Sequence, residues 1–224
     1  MGRSTLLALA GLALAGAALA PAALADLRVL SPPSGAVLAA SPMTLIGSGA
    51  GTSIDVMVNG KPFSGAKQSG KAFLASIDLV PGENVVLVRS GEESVRLAFV
   101  FAPKGAPAGV FRYHPPVADG DCKACHPQGV GRTFPVSEAK LCNSCHEPKT
   151  GGKYLHGPLG TGQCSICHDP HGSGNPMYLV MNSRALCVQC HAQSRSQSHI
   201  EKSGDKNCPE CHDPHSSAKQ YLLH

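Results

Sequence analysis

The sequence has no tryptophan and only four tyrosines and six phenylalanines in 224 residues. It has no cysteine before Cys122 and no histidine before His114. The missing early cysteines exclude a lipid anchor on an N-terminal cysteine, and they leave the first half without disulfides or thiolate metal sites. Charge is also short of one sign: 19 basic against 15 acidic residues give +4, too weak a balance to point to nucleic acid. After residue 25 no stretch is apolar enough to cross a bilayer.

What is present divides the chain. Arg3 precedes a Leu/Ala-rich apolar run, and Ala23-Leu24-Ala25 before Asp26 suits signal peptidase. Residues 1–25 therefore read as an export signal that is removed, with no membrane span after cleavage. An uncleaved anchor is the competing reading, because Leu6 to Ala25 is nearly long enough to span. Residues 26–103 carry six basic and six acidic residues and neither cysteine nor histidine; residues 104–224 carry all ten cysteines and all eleven histidines. Two domains with different means of stabilisation follow, residues 26–103 and 114–224, joined by a Pro/Gly/Ala-rich linker at 104–113.

The first domain reads as all-β. "SIDVMVNG", "KAFLASIDLV", "NVVLVRS" and "SVRLAFVF" are β-rich runs divided by the turn formers Asn59-Gly60, Pro81-Gly82-Glu83-Asn84 and Gly91-Glu92. Alternation in Ile54, Val56, Val58 and in Phe73, Ala75, Ile77, Leu79 gives each strand one buried face. Six or seven strands in a small sandwich are expected. The order of these runs resembles bacterial immunoglobulin-like modules, a fold that implies no single function. With no histidine or cysteine and scattered carboxylates, it reads as a spacer or as a docking module that positions the second domain.

In the second domain all ten cysteines fall into five C-x-x-C pairs, each followed by histidine: Cys122/Cys125/His126, Cys142/Cys145/His146, Cys164/Cys167/His168, Cys187/Cys190/His191 and Cys208/Cys211/His212. Disulfides would not need a histidine after every pair. Zinc has no use for histidine at that fixed place, and free zinc thiolates in an exported chain would oxidise. Thioredoxin-like pairs occur singly in a βαβ context that is missing. Covalent haem attachment remains: each cysteine adds across one haem vinyl group, and the adjacent imidazole reaches the iron from the proximal face. Export agrees with this, since c-type haem is attached outside the bacterial cytoplasmic membrane.

The motifs repeat at alternate positions with a period of about 42 to 44 residues. Motifs two and four have Ser137 or Asn182 five residues before the first cysteine, which predicts an N-cap and a short helix. Motifs one, three and five have His114, His156 and His199 eight or nine residues upstream. Motifs three and five continue "CHDPHGS" and "CHDPHSS", followed by Tyr178-Leu179 and Tyr221-Leu222; motif one reads "CHPQG", with Gly129 where the extra histidine would stand.

These motifs resemble the doubled-CxxCH family of multihaem c-type cytochromes, which includes periplasmic pentahaem carriers and subunits of extracellular cytochrome filaments. The resemblance covers His114 to His224 and implies low-spin haems with two histidine ligands that relay electrons. Beside the proximal His126, His146, His168, His191 and His212, five further histidines stand at repeated offsets: His114, His156, His171, His199 and His215. These are the expected distal ligands. Chain reach assigns His114 to motif one, His156 to motif three and His199 to motif five, leaving His171 and His215 for motifs two and four. His224 is the spare, an unbound tail or a ligand in another subunit. About 120 residues cannot wrap five haems and also build an apolar core, so the porphyrins themselves are expected to be the core.

The fold class expected is thus an all-β immunoglobulin-like sandwich followed by a haem-cored domain of short helices and loops. The function expected is electron transfer by five haems c and their iron, between a respiratory, quinol-linked donor and a reductase or outer-surface cytochrome, in the periplasm or outside the cell. The alternatives are a filament subunit, a haem reductase with an open iron site, and a zinc protein. The reductase reading is weakened because neither a C-x-x-C-K motif nor a long chain is present.

Overall fold

The structure is a computed structural model that describes residues 27–49, 51, 53–105, 108–129, 136–191 and 197–224. The expected export signal at 1–25 lies outside them, and among the described residues no helix is long and apolar enough to cross a membrane.

Among the described residues, nine strands occupy the first half: β1 (Arg28–Ser31), β2 (Val37–Leu38), β3 (Met43–Ser48), β4 (Asp55–Val58), β5 (Lys61–Phe63), β6 (Lys67–Ser69), β7 (Ala72–Ile77), β8 (Gly82–Ser90) and β9 (Glu93–Phe101). They form two sheets, ordered β1-β3-β7-β6 and β2-β9-β8-β4-β5. Alternation works as expected: Phe73, Ala75 and Ile77 of β7 are buried while Ser76 faces out. Met43, Leu45, Phe73 and Ile77 from one sheet share a core with Val56, Val86, Val88 and Phe99 from the other. The count exceeds the expected six or seven strands, because two- and three-residue strands such as β2, β5 and β6 are too short to show alternation. Asn59-Gly60 forms the tight β4–β5 turn, both residues at positive φ (50° and 78°), as a two-residue hairpin of type I′ requires. The Asn84 side chain is fully buried: its Oδ1 accepts from the Val80 N–H at 3.0 Å and from Asn59 Nδ2 at 3.1 Å, and its Nδ2 donates to the Val80 carbonyl at 2.7 Å.

The end of the composition-derived linker is structured. Phe111 is buried in the β core, and its N–H donates to the Val37 carbonyl at 2.7 Å. Tyr113 donates its hydroxyl to the Thr44 carbonyl and accepts the Thr44 N–H, both at 2.9 Å. Strand β10 (Arg112–Tyr113) then pairs with β12 (Gly172–Ser173) of the cysteine-rich half. A Cβ on Gly172 would stand 2.5 Å from the Arg112 carbonyl oxygen and 2.7 Å from the Phe111 ring, so only glycine fits this joint.

The cysteine-rich half is built of short pieces: helices α1 (Pro115–Ala118), α2 (Glu138–Cys142), α3 (Gly157–Gly160), α4 (Ser183–His191) and α5 (Gln197–Ser203), and two-residue strands β11 (Tyr154–Leu155) and β13 (Ser216–Ser217), which pair. Beyond Phe111, which belongs to the β core, its buried residues among those described are Gly172 and Ser173. Among the described residues it has no apolar core of its own.

Candidate metal centres

Each motif sits on a helical turn. The N–H of the histidine donates to the carbonyl of the first cysteine four residues back, at 2.8 Å for His126 and 3.0 Å for His146, His168 and His212. Residues at i, i+3 and i+4 share one face of such a turn, so both thiols and the imidazole are presented together. Motifs one, three and five ride on single 3₁₀ turns at Cys122–Ala124, Cys164–Ile166 and Cys208–Glu210. Motifs two and four ride on α2 and α4, and the predicted caps are in place. Ser137 Oγ accepts from the Lys140 N–H at 3.4 Å, and Asn182 Oδ1 accepts from the Ala185 N–H at 2.9 Å.

Consecutive motifs touch. The thiols of Cys142 and Cys164 and a carboxylate oxygen of Glu138 lie within 4.8 Å of one another. Burial, and then Cys164, push the Cys142 thiol up to about 11; burial and Cys208 do the same to Cys187. Burial, then Cys145, raises Cys125, and burial, then Cys190, raises Cys167. Motifs two and three meet through their first cysteines, as do motifs four and five, and the second cysteines of motifs one and two and of three and four interact electrostatically. Glu138 reinforces one junction, its carboxylate accepting the Ser165 N–H and, at 3.0 Å, the Ser165 hydroxyl. Sequence reasoning did not single out Glu138.

The histidines fall into pairs of one proximal and one further imidazole. Ring centres are 6.0 Å apart for His146 and His114, 5.9 Å for His191 and His156, 6.0 Å for His168 and His215, and 6.0 Å for His212 and His199. His126 is left to His171: burial, and next the charge of His171, depress its imidazole below the ordinary value. This pair corresponds to His168 and His215 one repeat later. An imidazole nitrogen stands about 2 Å from a metal it ligates, so two imidazoles on opposite faces of one ion have ring centres about 6 Å apart. The spacing fits a shared iron.

Four of the five pairings expected from chain reach are corrected. His114 lies against His146 rather than His126, His156 against His191 rather than His168, His171 against His126 and His215 against His168; His199 against His212 is as expected. Strand pairing is the reason. The His114 N–H donates to the His171 carbonyl at 3.0 Å and the His156 N–H to the His215 carbonyl at 2.9 Å, which holds each upstream histidine beside a C-H-D-P-H segment from the following odd-numbered motif. His114 and His156 then stand at the N-termini of α1 and α3, each of which has a proline in its first turn.

Further bonds orient the rings. His168 Nδ1 lies 2.8 Å from the Met177 carbonyl oxygen and His212 Nδ1 lies 2.7 Å from that of Tyr221. A carbonyl can only accept, so Nδ1 carries the proton and Nε2 keeps its lone pair for a metal. Met177 and Tyr178 are at φ 55°, Tyr221 and Leu222 at φ 59° and 56°. These left-handed pairs aim the two carbonyls. They also set the structural register: Tyr221 corresponds to Met177, one place off the Tyr-Leu match read in the sequence. His224 is engaged within the chain, its Nε2 2.9 Å from the Pro209 carbonyl oxygen and its N–H donating to Cys211 at 3.1 Å.

Comparison with known proteins falls on the same features. Residues 156–196 match the family described as the doubled CXXCH motif. "Multiheme cytochrome MtrA" of Shewanella baltica (strain OS185) is 36% identical over 86 residues, covering 35% of this chain. The chain spans only 26% of that relative's length. A solved FMN-binding beta-glucuronidase from Facaelibacterium prausnitzii L2-6 overlaps 38% of this chain and 13% of its own at 15% identity, with a TM-score of 0.32 that carries no argument. The family match and the relative together support a multihaem c-type cytochrome with covalently bound haem and iron.

Proposed function

We propose that this chain is an exported electron carrier holding five haems c in a row, one on each C-x-x-C-H motif, every iron between two histidines. The observation that carries the reading is the pairing of proximal with further imidazoles at about 6 Å. Bound haem iron supplies one-electron chemistry. The chain's own residues do the rest. The cysteine pairs Cys122/Cys125, Cys142/Cys145, Cys164/Cys167, Cys187/Cys190 and Cys208/Cys211 fix each group covalently. His126, His146, His168, His191 and His212 hold the proximal side; His171, His114, His215, His156 and His199 close the other. Two histidines for each group would leave no place for a substrate, which favours relay over catalysis. Contact of motif two with motif three and of motif four with motif five supports transfer along the row.

The first half serves as an immunoglobulin-like module that positions the row. The donor is a quinol-linked respiratory protein and the acceptor a reductase or outer-surface cytochrome, met in the periplasm or beyond it. A pyridine haemochrome assay with intact-mass measurement tests the core of this reading. Five haems per chain and low-spin ferric signals are expected; a colourless protein with ten titratable thiols would overturn it.

A further inference from the structure

Two copies of the repeat differ where the first meets the β half. The C-H-D-P-H segments set their register: the Asp169 N–H donates to the Tyr178 carbonyl and the Asp213 N–H to the Leu222 carbonyl, both at 2.7 Å. Tyr178 and Leu222, at φ 55° and 56°, therefore hold one place in the repeat, and both are half-buried. In the strands beside them, Tyr113 precedes His114 and pairs with Gly172, whereas Leu155 precedes His156 and pairs with Ser216. The first copy thus has tyrosines in two places where the second has leucines.

Those two tyrosines meet. The Tyr178 hydroxyl donates to the Tyr113 carbonyl at 3.3 Å, and the Tyr113 hydroxyl in turn donates to the Thr44 carbonyl in β3. The Arg112 guanidinium carbon lies over the Tyr178 ring, 5.7 Å from its centre, and Arg112 Nη2 donates to the Asn175 carbonyl at 3.4 Å. The Tyr178 ring also meets that of His114, with centres 5.4 Å apart and planes at 77°, the edge-to-face arrangement that aromatic pairs favour. His114 and His146 have their own planes at 44°. Bound through one nitrogen, an imidazole can turn about that bond unless a group beyond the metal holds its plane.

We propose that Tyr178 is a positioning residue for His114: its ring fixes the plane of that imidazole against His146, and its hydroxyl and Arg112 tie the ligand to the β half. This rests on the reading that His114 and His146 share the iron of motif two. The β half then sets the ligand geometry, and with it the potential, of one haem in the row. Leu222 shows that the backbone at this place accepts an aliphatic side chain, so the ring can be removed without changing the turn.

The test is paramagnetic resonance with a redox titration of the full haem-loaded chain, beside Tyr178→Leu, Tyr178→Phe and His114→Ala. A low-spin ferric signal depends on the angle between its two imidazole planes, so a turned ring shifts it. With five haems bound, Tyr178→Leu is expected to shift one low-spin signal and one midpoint and leave the other four in place. Tyr178→Phe, which keeps the ring, is expected to hold both at their native positions. The signal shifted by Tyr178→Leu should be the one that His114→Ala removes. Tyr178→Met carries the test if the leucine variant does not load. Unmoved signals in the aliphatic variant, an equal shift in Tyr178→Phe, or a shift in any signal that His114→Ala leaves in place would overturn the proposal. Loss of a haem from both aliphatic variants would also do so, by making the role purely structural. A His114→Ala chain that keeps all five low-spin signals would instead end the ligand assignment on which the proposal stands.

Discussion

Phe99, Met43, Leu45 and Val86 are fully buried in the β half, whereas helices α1, α2, α3 and α4 of the cysteine-rich half bury no residue. The first half is closed by apolar side chains from two sheets; the second by pairs of imidazoles and rows of thiols facing one another. The contrast shows two ways to offset chain entropy within one polypeptide: burial of hydrocarbon, and bonds to a group that the sequence itself does not contain. The joint between them, Phe111 to Tyr113, belongs physically to both, since its side chains enter the β core while its backbone pairs with β12.

The sharpest way to break this contrast is to withhold haem. Protein made without it should lose protection across the cysteine-rich half while the β half stays folded, read by hydrogen exchange; equal protection in both would abolish the distinction. Next in size, Phe99→Ala should cost the β half about 3–5 kcal/mol, read by denaturant unfolding, and leave the haem spectrum unchanged. Replacing His215 by alanine should free one axial position at motif three and convert one haem of five to high spin, by paramagnetic resonance, without unfolding the β half. Tyr113→Phe should weaken the joint by about 1 kcal/mol, the net worth of its hydrogen bonds to Thr44.

The joint also has a pH signature. Burial, opposed by the bond to Thr44, raises the Tyr113 phenol above its ordinary value. A raised folded-state value means the joint's contribution is intact below about pH 10, where the unfolded phenol is still protonated. It is lost as pH rises above that. Thermal unfolding of the β half should therefore weaken above pH 10 in the native chain and not in Tyr113→Phe, which has no phenol to ionise.

Much of this was legible in the residues. The alternation of Phe73, Ala75 and Ile77, the Asn59-Gly60 turn and the Ser137 and Asn182 caps are local signals with local causes, and each stands where expected. The same holds for the short helices α2 and α4 that carry motifs two and four. The histidine pairing was not legible, because counting eight residues from His114 to Cys122 ignores a strand pairing that joins Tyr113 to Gly172. Glu138 at Ser165 and the carbonyls of Met177 and Tyr221 were missed because backbone acceptors and lone carboxylates leave no motif. Asp169 and Asp213 did leave one, in the twice-repeated C-H-D-P-H.

The ligand pairs can be read directly from an experimental structure of the haem-loaded protein. Iron is expected between His126 and His171, His146 and His114, His168 and His215, His191 and His156, and His212 and His199. Finding His114 on the iron of motif one, or a proximal histidine facing no second imidazole, would contradict it.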